Sequence, residues 1–448
     1  MSKRLNRQRL VAGLLILLSA AVNAGTCPRS VGKLTVPLDD YDPPPKPGEP
    51  AMTIKGLDKF IKENDIRDVA AFLSKLPANY QKRYALMEKT RGAGKASLEN
   101  PRIVFFGADA RLLMNVGSDP SDPLYEQVDV AYMNKKSGGW EFAKFDFQRS
   151  GSKLVKNPVE CVQCHGTPMR PFWGKYLNWP GAFSDNPSPG DQAESMTEAQ
   201  ARRLNELKGG KGNPARFQWL MWAPSYTAGY SQMLPDHDYG YALTISNNSL
   251  GYTAAESIFL RLKKKYPDRY AALREELLIL SYYDRRTSWV TEADRKKIAA
   301  SIASYGGSGS DYRAIFKVLG IKDIDFELSI DRLAFEPQDQ TWTAASGDLL
   351  GLVLMLVLND VAGNDAGAKT VLQQAPIGTG VYGIWGCPDL GTSVMDSLTY
   401  RITQGWGAKG EARQVEEAAF YDVDVSRVYQ PIFEQPGKPL FDYLKTKI

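Results

Sequence analysis

Between residues 101 and 149 the hydrophobic pattern changes its period, and that change limits the folds open to this chain. Upstream, Ile54, Leu57, Phe60 and Ile61 recur at helical spacing, as do Val69, Phe72 and Leu73 ahead of Pro77, predicting two short helices. The texture then alternates. Ile103 to Phe106 stops at Gly107, Leu112 to Met114 stops near Gly117, and Val128, Val130 and Tyr132 share one face of a third run. In a fourth run Trp140 and Phe142 alternate up to Ala143, after which Phe145 and Phe147 continue in the opposite phase. A bulge near Ala143 or Lys144 would reconcile the two halves. The block reads as an antiparallel meander of about four strands.

Helical patterns return beyond about residue 190. Thr197 to Gln200, Thr253 to Glu256 and Thr291 to Asp294 each have the form of a capping box at a helix start. Pro267 divides Ile258, Phe259 and Leu262 from Leu273, Leu277, Leu278 and Leu280, predicting a kinked or antiparallel helical pair. Leu349 to Leu358 is apolar apart from one glycine but about half the length of a membrane span, which points to a buried core helix. The fold class is therefore α+β: a mainly helical body with an antiparallel β-meander ahead of residue 161.

At that point stands Cys161-Val162-Gln163-Cys164-His165, which uses half of the chain's four cysteines and half of its two histidines. The spacing suits covalent haem attachment: two thiols add across the haem vinyl groups, and the adjacent imidazole is placed to ligate the iron. No other cluster of cysteine and histidine in the sequence would complete a tetrahedral zinc site.

The first residues suit the same chemistry, because such attachment takes place outside the cytoplasmic membrane. Lys3, Arg4, Arg7 and Arg9 form a cationic region, Leu10 to Val22 is apolar and uncharged, and Val22-Asn23-Ala24 offers a small-residue cleavage site. Cleavage is expected after Ala24, with a periplasmic or secreted product and no stable membrane span left. Residues 1–24 carry four positive charges and no negative one, so the whole-chain formal charge of +4 falls to zero without them. Nothing in that balance suggests a phosphate-binding stripe, and no nucleic-acid partner is expected.

With Cys161, Cys164 and His165 beside an export segment, the chain resembles c-type cytochromes. The resemblance covers five contiguous residues. It implies one covalent haem c, with thioethers at Cys161 and Cys164, His165 as proximal iron ligand, and a redox partner protein. Attachment in mid-chain departs from the compact cytochromes of this kind, so their small fold is not expected here. The opposite axial position stays open among His237, Met233 and Met221. A strong ligand there favours electron transfer, whereas a vacant position makes a peroxidase-like or oxygen-activating enzyme, or a ligand sensor, the alternative. Arg170 or Lys175 is a candidate partner for a haem propionate, and the aromatics from Phe172 to Trp179 are candidate walls.

Cys27 and Cys387 remain, and an exported chain permits a disulfide between them, closing a long loop worth about 5 kcal/mol on the chain-entropy model. Two separate thiols are the alternative. Gly378 to Gly383 fits GxGxxG, but Trp385-Gly386-Cys387-Pro388 follows where a helix should open, so no nucleotide site is expected. The organisation expected is a signal peptide at 1–24, a proline-rich tether at 25–50, and helices plus meander at 51–150. The haem-attachment region at 151–250 and a helical region at 251–448 complete it. Oligomeric state is left open.

Overall fold

In a computed structural model of the protein, the described residues are 46–77, 80–81, 84–89, 94–107, 110–148, 152–167, 169, 183, 197–222, 240–322, 348–375, 394 and 432–448. Residues 240–252, 348–349 and Cys164 are described as backbone. The signal-peptide and disulfide expectations, including Cys27 and Cys387, fall outside them, as does most of the tether.

Two helices come first, α1 (Ile54–Glu63) and α2 (Val69–Ser74), each opened by a side-chain cap: Thr53 accepts from the Gly56 N–H and Asp68 from the Ala71 N–H. The apolar positions read from the sequence are the ones they bury. Six strands follow: β1 (Tyr84–Met87), β2 (Arg102–Phe105), β3 (Leu112–Val116), β4 (Gln127–Met133), β5 (Trp140–Asp146) and β6 (Lys153–Lys156). They pair antiparallel in sequence order, so the meander is real and gains a strand at either end. Such pairing needs only local turns.

The expected bulge is absent. β4 and β5 pair without interruption from Gln127 opposite Asp146 to Met133 opposite Trp140. The change of phase has another cause: both faces of this sheet are covered. Val128, Val130, Ala143, Phe145 and Phe147 face one core with α1, α2 and α4 (Glu198–Lys208). Ala131, Met133, Trp140 and Phe142 face another, built by the helices that follow. Alternation therefore carries apolar residues on both phases, and a strand buried on two sides reads like a shift of register.

The second core is made by α5 (Gly240–Lys265), α6 (Pro267–Leu278), α7 (Glu292–Ser304), α8 (Tyr312–Val318), α9 (Asp348–Asn364), α10 (Ala366–Gln374) and α11 (Gly437–Lys445). α9 packs against α5 and α6, and its residues from Leu352 to Leu358 are buried to 3% exposure or less. At about 1.5–3 kcal/mol for each large side chain taken from water, that run is a principal source of cohesion. Among the described residues no single helix is long and apolar enough to cross a membrane; α9 and α10 pass that test only as a pair bent by 114°.

Pro267 opens α6 at its first turn, as expected of a proline that lacks an N–H to give. Capping boxes form at Thr197 with Gln200 and at Thr291 with Asp294. The third does not. α5 runs unbroken through Thr253, which is buried, and Glu256 turns instead toward the sheet. There Arg111 donates from Nε to Glu256 Oε2 at 3.0 Å and from Nη2 to Oε1 at 2.8 Å, a bidentate pair with both residues buried. The β4–β5 hairpin fixes the same helix from its tip. Ser257 Oγ donates to the Gly138 carbonyl, and Gly138, at φ +70°, leaves no room for a side chain: a Cβ there would lie 2.7 Å from the Ser257 carbonyl oxygen and 2.8 Å from Leu260 Cβ.

Candidate haem-attachment site

β6 runs almost directly into the cysteine motif. Pro158, buried and extended, starts α3 (Val159–His165), which contains Cys161, Cys164 and His165, and Gly166 ends it at φ +79°. The helix places positions 161 and 164 one turn apart on one face, with 165 beside them. Proline at the start fixes φ where a helix needs it, and glycine at the end accepts a backbone that a Cβ would strain.

Four contacts hold α3 and the residue pair that leads into it to β5. The Asn157 N–H donates to the Phe142 carbonyl at 2.7 Å, and Asn157 Oδ1 accepts from the Phe142 N–H at 3.3 Å. Lys144 Nζ forms an ion pair with Glu160 in the first turn of α3. That hydrogen bond raises the lysine's pKa and lowers the carboxylate's, so each favours its charged form. At the other end of α3 the His165 ring lies on Phe142, with centroids 4.0 Å apart and planes inclined by 36°. Phe142 and Lys144 alternate with Ala143, so both project from the face of β5 toward the helical core.

Cys161 and His165 are half-buried, and Cys161 and Met169 pack against the helical core. By contrast Val159 and Gln163 are exposed. The helix thus has an inner and an outer side, with Cys161 and His165 at the boundary. Among the described residues no group of three or more His, Cys, Asp and Glu side chains is gathered to hold a metal ion. Haem held by two thioethers asks less of the chain: two thiols one turn apart, an adjacent imidazole and an apolar surface alongside. The residues of α3 fit that group.

The distal candidates fare differently. Met221 is 42% exposed, and its N–H donates to the Gln81 carbonyl just ahead of β1, while the neighbouring Trp222 meets Tyr84 of β1 edge to face at 5.9 Å. β1 lies four strands from β5, roughly 19 Å across the sheet, and this aromatic group belongs to the opposite face. The structure places Met221 beside β1 and away from α3. His237 and Met233 lie outside the described residues, as do Arg170, Lys175 and the aromatics from Phe172 to Trp179.

Phe142, Lys144 and Glu160 were not singled out as site residues in the sequence. A signal existed, since the motif begins five residues after a strand ends, which ties it to that strand's neighbour. Comparison with known proteins adds no relative: no protein-family model, no curated protein and no solved structure matches this chain.

Proposed function

We propose that this chain is an exported, periplasmic protein that carries one covalently attached haem c and transfers electrons to or from a redox partner protein. The observation that carries the reading is the CxxCH run on a half-buried helix, its histidine ring packed on Phe142. When bound, haem supplies a one-electron iron couple whose potential responds to axial ligand, burial and hydrogen bonding. The chain's own contributions are specific. Cys161 and Cys164 tether the group, His165 ligates it from one side, Phe142 limits rotation of that imidazole, and the Lys144–Glu160 pair steadies the first turn of α3.

Absorbance spectra of the purified, periplasmically matured protein, oxidised and reduced, with and without CO, test the proposal. A low-spin spectrum indifferent to CO is expected of six-coordinate iron in an electron-transfer protein. A high-spin spectrum that shifts with CO would overturn electron transfer as the task and indicate an open iron site.

A further inference from the structure

Between β6 and α3 the chain turns on two residues, Asn157 and Pro158. The register that sets Ala143 opposite Lys156 carries Phe142 opposite Asn157, one step past the end of the strand. In a hydrogen-bonded antiparallel pair each residue gives its N–H to the other and accepts in return on its backbone carbonyl. Asn157 gives its N–H to the Phe142 carbonyl at 2.7 Å, but the return bond differs: the Phe142 N–H is accepted at 3.3 Å by Asn157 Oδ1. The side-chain carbonyl stands in for the backbone one.

That exchange of acceptors lets the chain leave the sheet. Asn157 has φ +47°, in the left-handed region that few residues other than glycine enter, and the proline that follows restricts it further. Asparagine tolerates the region because its short polar side chain bonds locally. A turn alone would be served as well by glycine, which has no acceptor to offer Phe142. The Oδ1 bond is thus what distinguishes asparagine here. Asn157 is itself exposed, so its replacement leaves both cores untouched.

The residue gripped in this way is the one whose ring carries His165, with centroids 4.0 Å apart. From the corner to His165 runs one helix of 7 residues, about 10 Å long, so a tilt of about 10° at its start moves the imidazole by about 2 Å. The Lys144–Glu160 pair holds the first turn less stiffly, because Glu160 is exposed and both side chains are long. We infer that Asn157 is a positioning residue for His165: by meeting both backbone groups of Phe142 at a left-handed corner, it sets the angle of α3 and with it the plane of the imidazole. That this imidazole ligates iron rests on the haem reading proposed above; that Asn157 orients it rests on contacts of the chain alone.

The test is isotopic labelling of the chain's two histidines and NMR of the His165 ring, assigned with His165→Gln, in the full chain produced without haem-attachment machinery. Packing on the Phe142 ring is expected to hold the His165 ring protons upfield of their free-imidazole positions. Asn157→Gly keeps the corner and removes the acceptor, whereas Asn157→Asp keeps both. The upfield shift is expected to persist in Asn157→Asp and to collapse in Asn157→Gly, with circular dichroism unchanged in each. In the haem-loaded protein the same variants are read by the electron paramagnetic resonance g-values of the oxidised haem, which respond to the plane of an axial imidazole. Asn157→Gly is expected to move them and Asn157→Asp to leave them in place, and this reading decides the matter if the unloaded chain does not fold. A signature retained in Asn157→Gly, or lost in Asn157→Asp, would overturn the inference. Absence of covalent haem would instead overturn the cytochrome reading and leave the histidine measurement to judge Asn157.

Discussion

Arg111 and Glu256 stand 145 residues apart in the chain and form a buried bidentate ion pair between the end of β3's approach and the middle of α5. Removing one partner strands the other charge in the interior, which costs about 3–5 kcal/mol. Glu256→Ala is accordingly expected to lower unfolding stability by about that amount in urea titration, and Arg111→Met/Glu256→Leu to recover much of it. A second residue gives a pH signature. Burial pushes the Glu276 carboxyl up to about 7, against a Ser301 hydrogen bond that opposes it, and its Oε2 has no partner among the described residues. Below about pH 4.5 the group is protonated in both folded and unfolded chains. Between there and pH 7 the unfolded chain releases the proton and the folded one retains it, so stability falls as pH rises, by on the order of 2 kcal/mol. Glu276→Gln is expected to remove that decline in denaturation midpoints measured from pH 4.5 to 7.5; an unchanged slope would show that the carboxyl is ionised when folded. Neither residue was legible in this role beforehand. The sequence places Glu256 three residues after a threonine, which is a helix-start signal, and nothing local reveals that the helix begins earlier or that an arginine on the sheet faces it.

At the scale of elements, the β4–β5 hairpin joins sheet, α5 and α3. Gly138 is where it touches α5, and a Cβ there meets backbone and Leu260 together at a left-handed φ. Gly138→Ala is expected to cost about 2 kcal/mol or more and to speed amide exchange at the Met133–Trp140 end of the hairpin ahead of the rest of the sheet. Exchange as slow as in the parent protein would show that the hairpin tip does not anchor the sheet to α5. β2 to β5 were legible as alternating runs, β1 and β6 were not, and α1, α2, α6 and α9 were legible from their apolar spacing and prolines. What sequence alone hid was the second covered face. Trp140 with Phe142 and Phe145 with Phe147 read as a slip of phase, because alternation identifies buried sides but does not say how many there are.

Across the whole molecule, a six-stranded sheet separates two cores and presents α3 against its helical side, at the β6 end. The CxxCH run was read directly from the sequence, because the spacing that covalent haem attachment would need is local. Their setting was not: which strand the helix lies on, and on which face, depends on pairings spread over seventy residues, and the same pairings carry Met221 to the opposite edge. The account stands or falls on whether haem is covalently joined to α3. The most direct measurement is the intact mass of the protein matured in a periplasm with haem-attachment machinery, followed by peptide mapping. The expected result is a polypeptide heavier by one haem, with the addition on the peptide containing Cys161 and Cys164, and lost in Cys161→Ser/Cys164→Ser. A bare polypeptide mass with both thiols open to alkylation would contradict it.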